Sequence, residues 1–137
     1  MHTTGKNLLL SAWFPTTPGA LYAAWLSADE HSAMTGGQAE IKPVAGSAFS
    51  SWDGYISGTL IELEPGRRML MSWRTTDFAD SDDDSLVEIV LTPDGGGVRL
   101  WLHHMEIPTT QGDRYRAGWK DFYFGPMTDY FAAFLSA

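Results

Sequence analysis

The chain has 137 residues, with 9 Lys and Arg against 17 Asp and Glu, a formal charge of −8 and a pI near 4.7. That length describes a single domain, 1–137, able to bury roughly two-thirds of its unfolded surface without covalent staples. The absence of cysteine excludes disulfides, thiolate zinc sites and thiol catalysis, and the acidic balance argues against nucleic acid or an anionic membrane as partner.

Residues 7–14 (NLLLSAWF) form a short apolar run that ends at Pro15, which reads as a strand. Thr17-Pro18 reads as an N-cap followed by proline at the first helical position. Leu21, Ala24, Trp25 and Ala28 follow at helical spacing. Ser27 and Glu30 have the spacing of a capping box, predicting a second short helix to Thr35 before Gly36-Gly37. Candidate strands are 39–43, 47–52, 55–63, 68–74, 86–91 and 98–106, separated by short Gly, Pro and Asp turns. Short connections imply an antiparallel meander. The longest gap, 75–85, carries Asp77, Asp80, Asp82, Asp83 and Asp84 and reads as a solvated loop.

Alternation along the strands sorts two faces. The more apolar set, assigned to the core, is Tyr55, Ser57, Thr59, Ile61 and Leu63, then Met69, Met71 and Trp73, then Val87, Ile89 and Leu91, then Val98, Leu100, Leu102 and His104. The opposite face keeps Ile56, Leu60, Leu70, Val90 and Trp101, with Trp13 from the first strand. An outward apolar patch of that kind predicts a homodimer interface. Residues 112–137 read as one long helix, with Trp119, Phe122, Tyr123, Met127, Tyr130, Phe131 and Phe134 at three- and four-residue spacings. Pro126 lies inside it, so a kink near Gly125-Pro126 is expected. The chain has six Trp, five Tyr and seven Phe, and this helix holds eight of them between Tyr115 and Phe134.

The segments WDGYISGT (52–59), ELEPGRR (62–68) and SWR (72–74) resemble the Aha1-type, Hsp90-ATPase-activator-like group of the START-like, or SRPBCC, superfamily. FPTTP (14–18) with Trp25, LWLHHMEIP (100–108), Gly118-Trp119, FGPM (124–127) and Tyr130-Phe131 agree with it. The resemblance implies an α+β helix-grip fold. A curved antiparallel sheet of six or seven strands would surround a long kinked C-terminal helix, with two short helices after the first strand. It also implies a space between sheet and helix, used across the superfamily for lipids, polyketides and other apolar molecules. The eukaryotic co-chaperone of this group has a separate N-terminal domain for which 137 residues leave no room, so Hsp90 activation is not carried over.

The expected function is non-enzymatic binding of a lipid- or polyketide-like molecule. Tyr55, Met71, Trp73, Leu102, His104, Trp119, Phe122, Tyr123 and Met127 are the expected lining. The alternatives are a stress- or chaperone-linked interaction domain, and an enzyme using His104 as acid or base. His103 and His104 point to opposite strand faces and cannot share one metal. No zinc-type His spacing exists, and Asp80, Asp82 and Asp84 lack the glycine and glutamate of a calcium loop, so neither metal nor cofactor is expected. No apolar run approaches the roughly 18 residues of a membrane span. Residues 1–19 lack a signal-peptide pattern, so a cytoplasmic location is expected.

Overall fold

In chain order the elements are β1 (Lys6–Phe14), α1 (Pro18–Leu26), α2 (Ala28–Thr35), β2 (Ala48–Ser51), β3 (Ile56–Glu64), β4 (Arg68–Thr75), β5 (Ser85–Asp94) and β6 (Gly97–Ile107). A C-terminal helix follows in three parts: α3 (Gly112–Gly118), a π-helical segment (Trp119–Phe124) and α4 (Gly125–Ala133). The coordinates are a computed structural model that describes residues 6–134. The end of the predicted helix, 135–137, and His2 lie outside the described residues.

The helix starts follow the expected chemistry. The Thr17 hydroxyl accepts from the Ala20 N–H at 3.1 Å, with Pro18 in the first turn. The Ser27 hydroxyl accepts from the Glu30 N–H at 3.2 Å, so Ser27 both ends α1 and caps α2. Gly36 stops α2 in the left-handed conformation, φ 89°.

The sheet has six antiparallel strands in the order β1-β6-β5-β4-β3-β2. β2 to β6 form the meander, and β1 returns to lie beside β6. The predicted strand at 39–43 is reduced to one isolated bridge, Glu40 to Ser50. Pro43 has no N–H for a ladder. The Lys42 carbonyl is taken by a local turn, accepting from the Val44 N–H at 2.8 Å.

Alternation holds on β4, β5 and β6, where Met69, Met71, Trp73, Val87, Ile89, Leu91, Leu100, Leu102 and His104 are all buried. It fails on β3. Ile56 and Leu60 face the core, while Ile61 is 42% exposed. The register against β4 shifts between Leu60 and Glu62. A bulge there switches the inward side from even to odd residues, so Leu63 again packs on the core. Leu60 therefore leaves the predicted outer patch. Gly58 lies before the bulge, where an added Cβ would stand 1.9 Å from the Ser72 carbonyl oxygen.

The C-terminal helix packs across the concave face. Phe14 of β1 meets Phe124 and Phe131 with ring centroids 6.2 and 6.1 Å apart. At the predicted kink the helix widens into a π turn, with the Gly125 N–H donating to the Lys120 carbonyl five residues back. Pro126 has no N–H to give, and its ring crowds the carbonyl four residues earlier. The wider turn relieves that crowding and leaves the helix continuous. Among the described residues no helix is long and apolar enough to cross a membrane.

Candidate functional site

The π segment and α3 face the turn between β2 and β3, and a cavity of about 380 Å³ lies between them. Its wall is Trp52, Tyr55 and Ile56 from the turn, Trp73 from β4, and Arg114, Tyr115, Gly118, Trp119, Phe122 and Tyr123 from the helix. Five of the predicted residues line it: Tyr55, Trp73, Trp119, Phe122 and Tyr123. The other four do not. Met71, Leu102, His104 and Met127 are sealed in the core, where the helix packs too closely on the sheet to leave space. The cavity lies at the β2–β3 end of the helix, beside Trp52, Tyr55 and Ile56.

The turn at Trp52–Gly54 is an unusual piece of backbone. Trp52, Asp53 and Gly54 all have positive φ, at 51°, 59° and 90°. Side chains other than glycine rarely adopt such a conformation unless their surroundings impose it. Here the Asp53 carboxylate accepts from the Gln38 N–H at 3.0 Å, and the Asp53 N–H donates to the Gln38 carbonyl at 3.0 Å. The Trp52 ring lies so close to Gly37 that a Cβ there would be 2.5 Å from its Cε3. Trp52 also meets the half-exposed Phe122 edge to face at 5.5 Å. Its indole Nε1 is the one buried side-chain N or O without a hydrogen-bond partner among the described residues.

The rim is polar. Tyr55 donates its hydroxyl to Asp77 at 2.5 Å, and Arg114 pairs with the same carboxylate at 3.0 Å. Burial and the Asp77 contact push the Tyr55 hydroxyl pKa above its ordinary value. Tyr115 donates to Gln111 at 2.5 Å and shares a 2.7 Å bond with Thr75; burial pushes its pKa up to about 12. The acidic loop is thus more ordered than its charge implied. Asp77 joins the rim, Phe78 is buried against Trp73 and Tyr115, and Arg74 bonds Asp84 at 2.8 Å and the Asp82 and Ala79 carbonyls. Among the described residues no three His, Asp or Glu side chains are grouped to hold a metal ion.

Two buried histidines brace the aromatic wall from behind. The Trp119 indole can only donate, so its 3.1 Å bond makes His104 Nδ1 an acceptor. His104 Nε2 then carries the proton and donates to Ser85 at 2.9 Å, and Ser85 donates onward to the Trp73 carbonyl at 2.6 Å. Burial, with a smaller contribution from His103, pushes His104 down to about 3. His104 is fully enclosed and cannot meet a substrate, which removes it as acid or base. His31 is the mirror case. Its Nδ1 donates to the Trp25 carbonyl at 2.8 Å, so Nε2 accepts from Tyr123 at 2.9 Å, while Ser51 bonds the same hydroxyl at 2.9 Å. Burial lowers the His31 pKa, and burial raises that of Tyr123.

Sequence reasoning missed Trp52, Ile56, Arg114, Tyr115 and Gly118 as lining. Trp52 was read as the end of a strand and Ile56 was placed outward by alternation. Tyr115 lies four residues before Trp119, and that spacing was the available signal.

Residues 15–132 match the family model for "Activator of Hsp90 ATPase homolog 1-like protein", and the chain belongs to that family. It is 29% identical over 120 residues to the human activator of 90 kDa heat shock protein ATPase homolog 1, covering 86% of this chain and 35% of that protein. The chain thus spans about a third of its curated relative. The crystal structure of PFC0360w, an HSP90 activator from Plasmodium falciparum, superposes with a TM-score of 0.78 at 22% identity, over 88% of this chain and 92% of that one. The solution structure of the Aha1 dimer from Colwellia psychrerythraea gives 0.77 at 14% identity, over 92% and 96%. At these identities the structures establish the START-like fold.

Proposed function

We propose that this chain is a non-enzymatic module that binds an apolar small molecule between the β2–β3 turn and the C-terminal helix. The observation that carries this reading is a cavity of about 380 Å³ walled mainly by aromatic side chains. Protein interiors normally fill such space, and cavities of roughly 300–1,000 Å³ are the size of small-molecule sites. Native mass spectrometry of the purified protein tests it, by looking for a retained small molecule that leaves on denaturation. Tyr55, Trp73, Trp119, Phe122 and Tyr123 would contact that molecule.

A chaperone-linked role through the protein surface is the second reading, and the relative's name favours it. Addition of the chain to an Hsp90 ATPase assay tests it directly. The outer sheet face gives this reading a surface. Leu9 is 68% exposed, Trp13 39% and Trp101 42%, and Trp101 stands opposite Ser11, between the other two. Their indoles are already held, Trp13 on the Asp94 carbonyl and Trp101 on Thr92. Only apolar ring surface is on offer, and a second copy of the chain would match it. The Colwellia dimer gives this assembly a precedent within the fold.

A further inference from the structure

We infer that the pocket's occupant is a planar aromatic molecule whose polar atom is a hydrogen-bond acceptor, received by the Trp52 indole N–H. This rests on the reading of the cavity as a small-molecule site and narrows what fills it.

Three observations converge. The first is the composition of the wall: seven of its ten residues are aromatic, and of the other three Ile56 alone carries an aliphatic side chain. Flexible acyl chains are matched by adaptable aliphatic and methionine surfaces. The residues here that would serve that purpose, Met71, Leu102 and Met127, are packed away from the cavity. Ring walls instead reward flat π-systems, which gain from stacked and edge-on contacts beyond simple area burial.

The second is the state of the polar groups. The Tyr55 hydroxyl is given to Asp77, the Tyr115 hydroxyl to Gln111 and the Tyr123 hydroxyl to His31. The Trp119 N–H is given to His104. What the wall leaves unpaired is the Trp52 N–H, and a buried donor without a partner calls for an acceptor. Nε1 is covered by its neighbours, so the inference requires a small turn of the indole on binding. The third is charge. Among the described lining residues there is no carboxylate, and the one charged side chain, Arg114, is already paired with Asp77, so nothing in the wall calls for a cationic ligand.

The test uses three probes with the same number of carbons: methyl naphthyl ketone, ethylnaphthalene and methyl decyl ketone. By apolar area alone the flexible decyl ketone should bind best. The inference reverses that order. Calorimetry is expected to give the naphthyl ketone about tenfold tighter binding than the decyl ketone, and about fivefold tighter than ethylnaphthalene. Trp52→Phe keeps the ring, removes the donor and should bring the naphthyl ketone to the affinity of ethylnaphthalene. In the wild-type protein the Trp52 Nε1–H resonance should lie further downfield with the ketone bound than with the hydrocarbon bound, a readout independent of how the variant folds. If the decyl ketone binds as tightly as the naphthyl ketone, or the indole resonance lies no further downfield with the ketone than with the hydrocarbon, the inference is overturned and the small-molecule site survives. If none of the three probes binds, both fall.

Discussion

Gly118 offers a test in which stability and binding move in opposite directions. It lies in the wall of the cavity with ordinary helical torsions, φ −61° and ψ −44°. A Cβ added there meets nothing nearer than Phe122 Cδ2 at 4.0 Å. Replacing a helical glycine without strain stabilises by about 0.5–1 kcal/mol. Leucine adds three further carbons, worth about 0.8 kcal/mol for each methylene that is buried. Gly118→Leu should therefore gain about 1–3 kcal/mol as its side chain enters the cavity, a rise of about 5 °C or more in melting temperature. The same side chain removes much of the 380 Å³ on offer, so binding of naphthyl ketone should fall by more than about tenfold. Scanning calorimetry and titration calorimetry on one preparation read both effects. A destabilised Gly118→Leu would mean that the space is not there to fill. A stabilised variant that binds as well as the parent would place the ligand elsewhere.

Acid should weaken the fold through the histidines. His104 sits near 3 in the folded chain, below its ordinary value of 6.5. Its contribution is therefore complete above about pH 6.5 and is lost as pH falls toward 3. Urea unfolding should show about 2 kcal/mol less stability at pH 5 than at pH 7, with His31 adding in the same direction. Trp119→Phe removes the donor that fills His104 Nδ1 and should cost about 1–3 kcal/mol; nitrogen NMR of the wild type should show the Nε2–H tautomer. Gly58→Ala should cost about 3 kcal/mol or prevent folding, since its Cβ would overlap the Ser72 carbonyl. Of the neighbours Leu60 and Ile61, Leu60→Asp should unfold the chain while Ile61→Asp changes denaturant stability by less than about 0.5 kcal/mol.

Much of this fold is written locally. The caps at Thr17 and Ser27, the two-residue alternation on β4 to β6 and the short turns all act through nearest neighbours, which a sequence displays directly. The errors came where one local rule was interrupted by a tertiary event. A bulge after Leu60 leaves no mark in a two-residue period, so Ile56 and Leu60 were assigned outward from the phase of Leu63. The lining failed for a different reason. Trp119 and Met127 share one apolar stripe, and no sequence pattern says at which point along it the sheet turns away. That point is set by the Trp52–Gly54 turn, whose positive φ values arise from its contacts with Gly37 and Gln38. The depth at which the acidic loop inserts Phe78 leaves no mark in its run of aspartates.

The π turn also settles a question of angle. Tyr115, Trp119, Tyr123, Met127 and Phe131 recur at a strict interval of four, and all five are buried. On a regular α-helix each four-residue step overshoots a full circle by about 40°, so the stripe would swing about 160° from first to last. Phe131 would then point away from the sheet that Tyr115 faces. The wider turn at Trp119–Phe124 unwinds part of that swing, so one helix keeps a single straight seam against β1, β4 and α1. The interval of four and the widened turn are two expressions of one requirement. A chain rebuilt with ordinary helical pitch through this segment would have to move its aromatic residues to new positions to hold the same sheet.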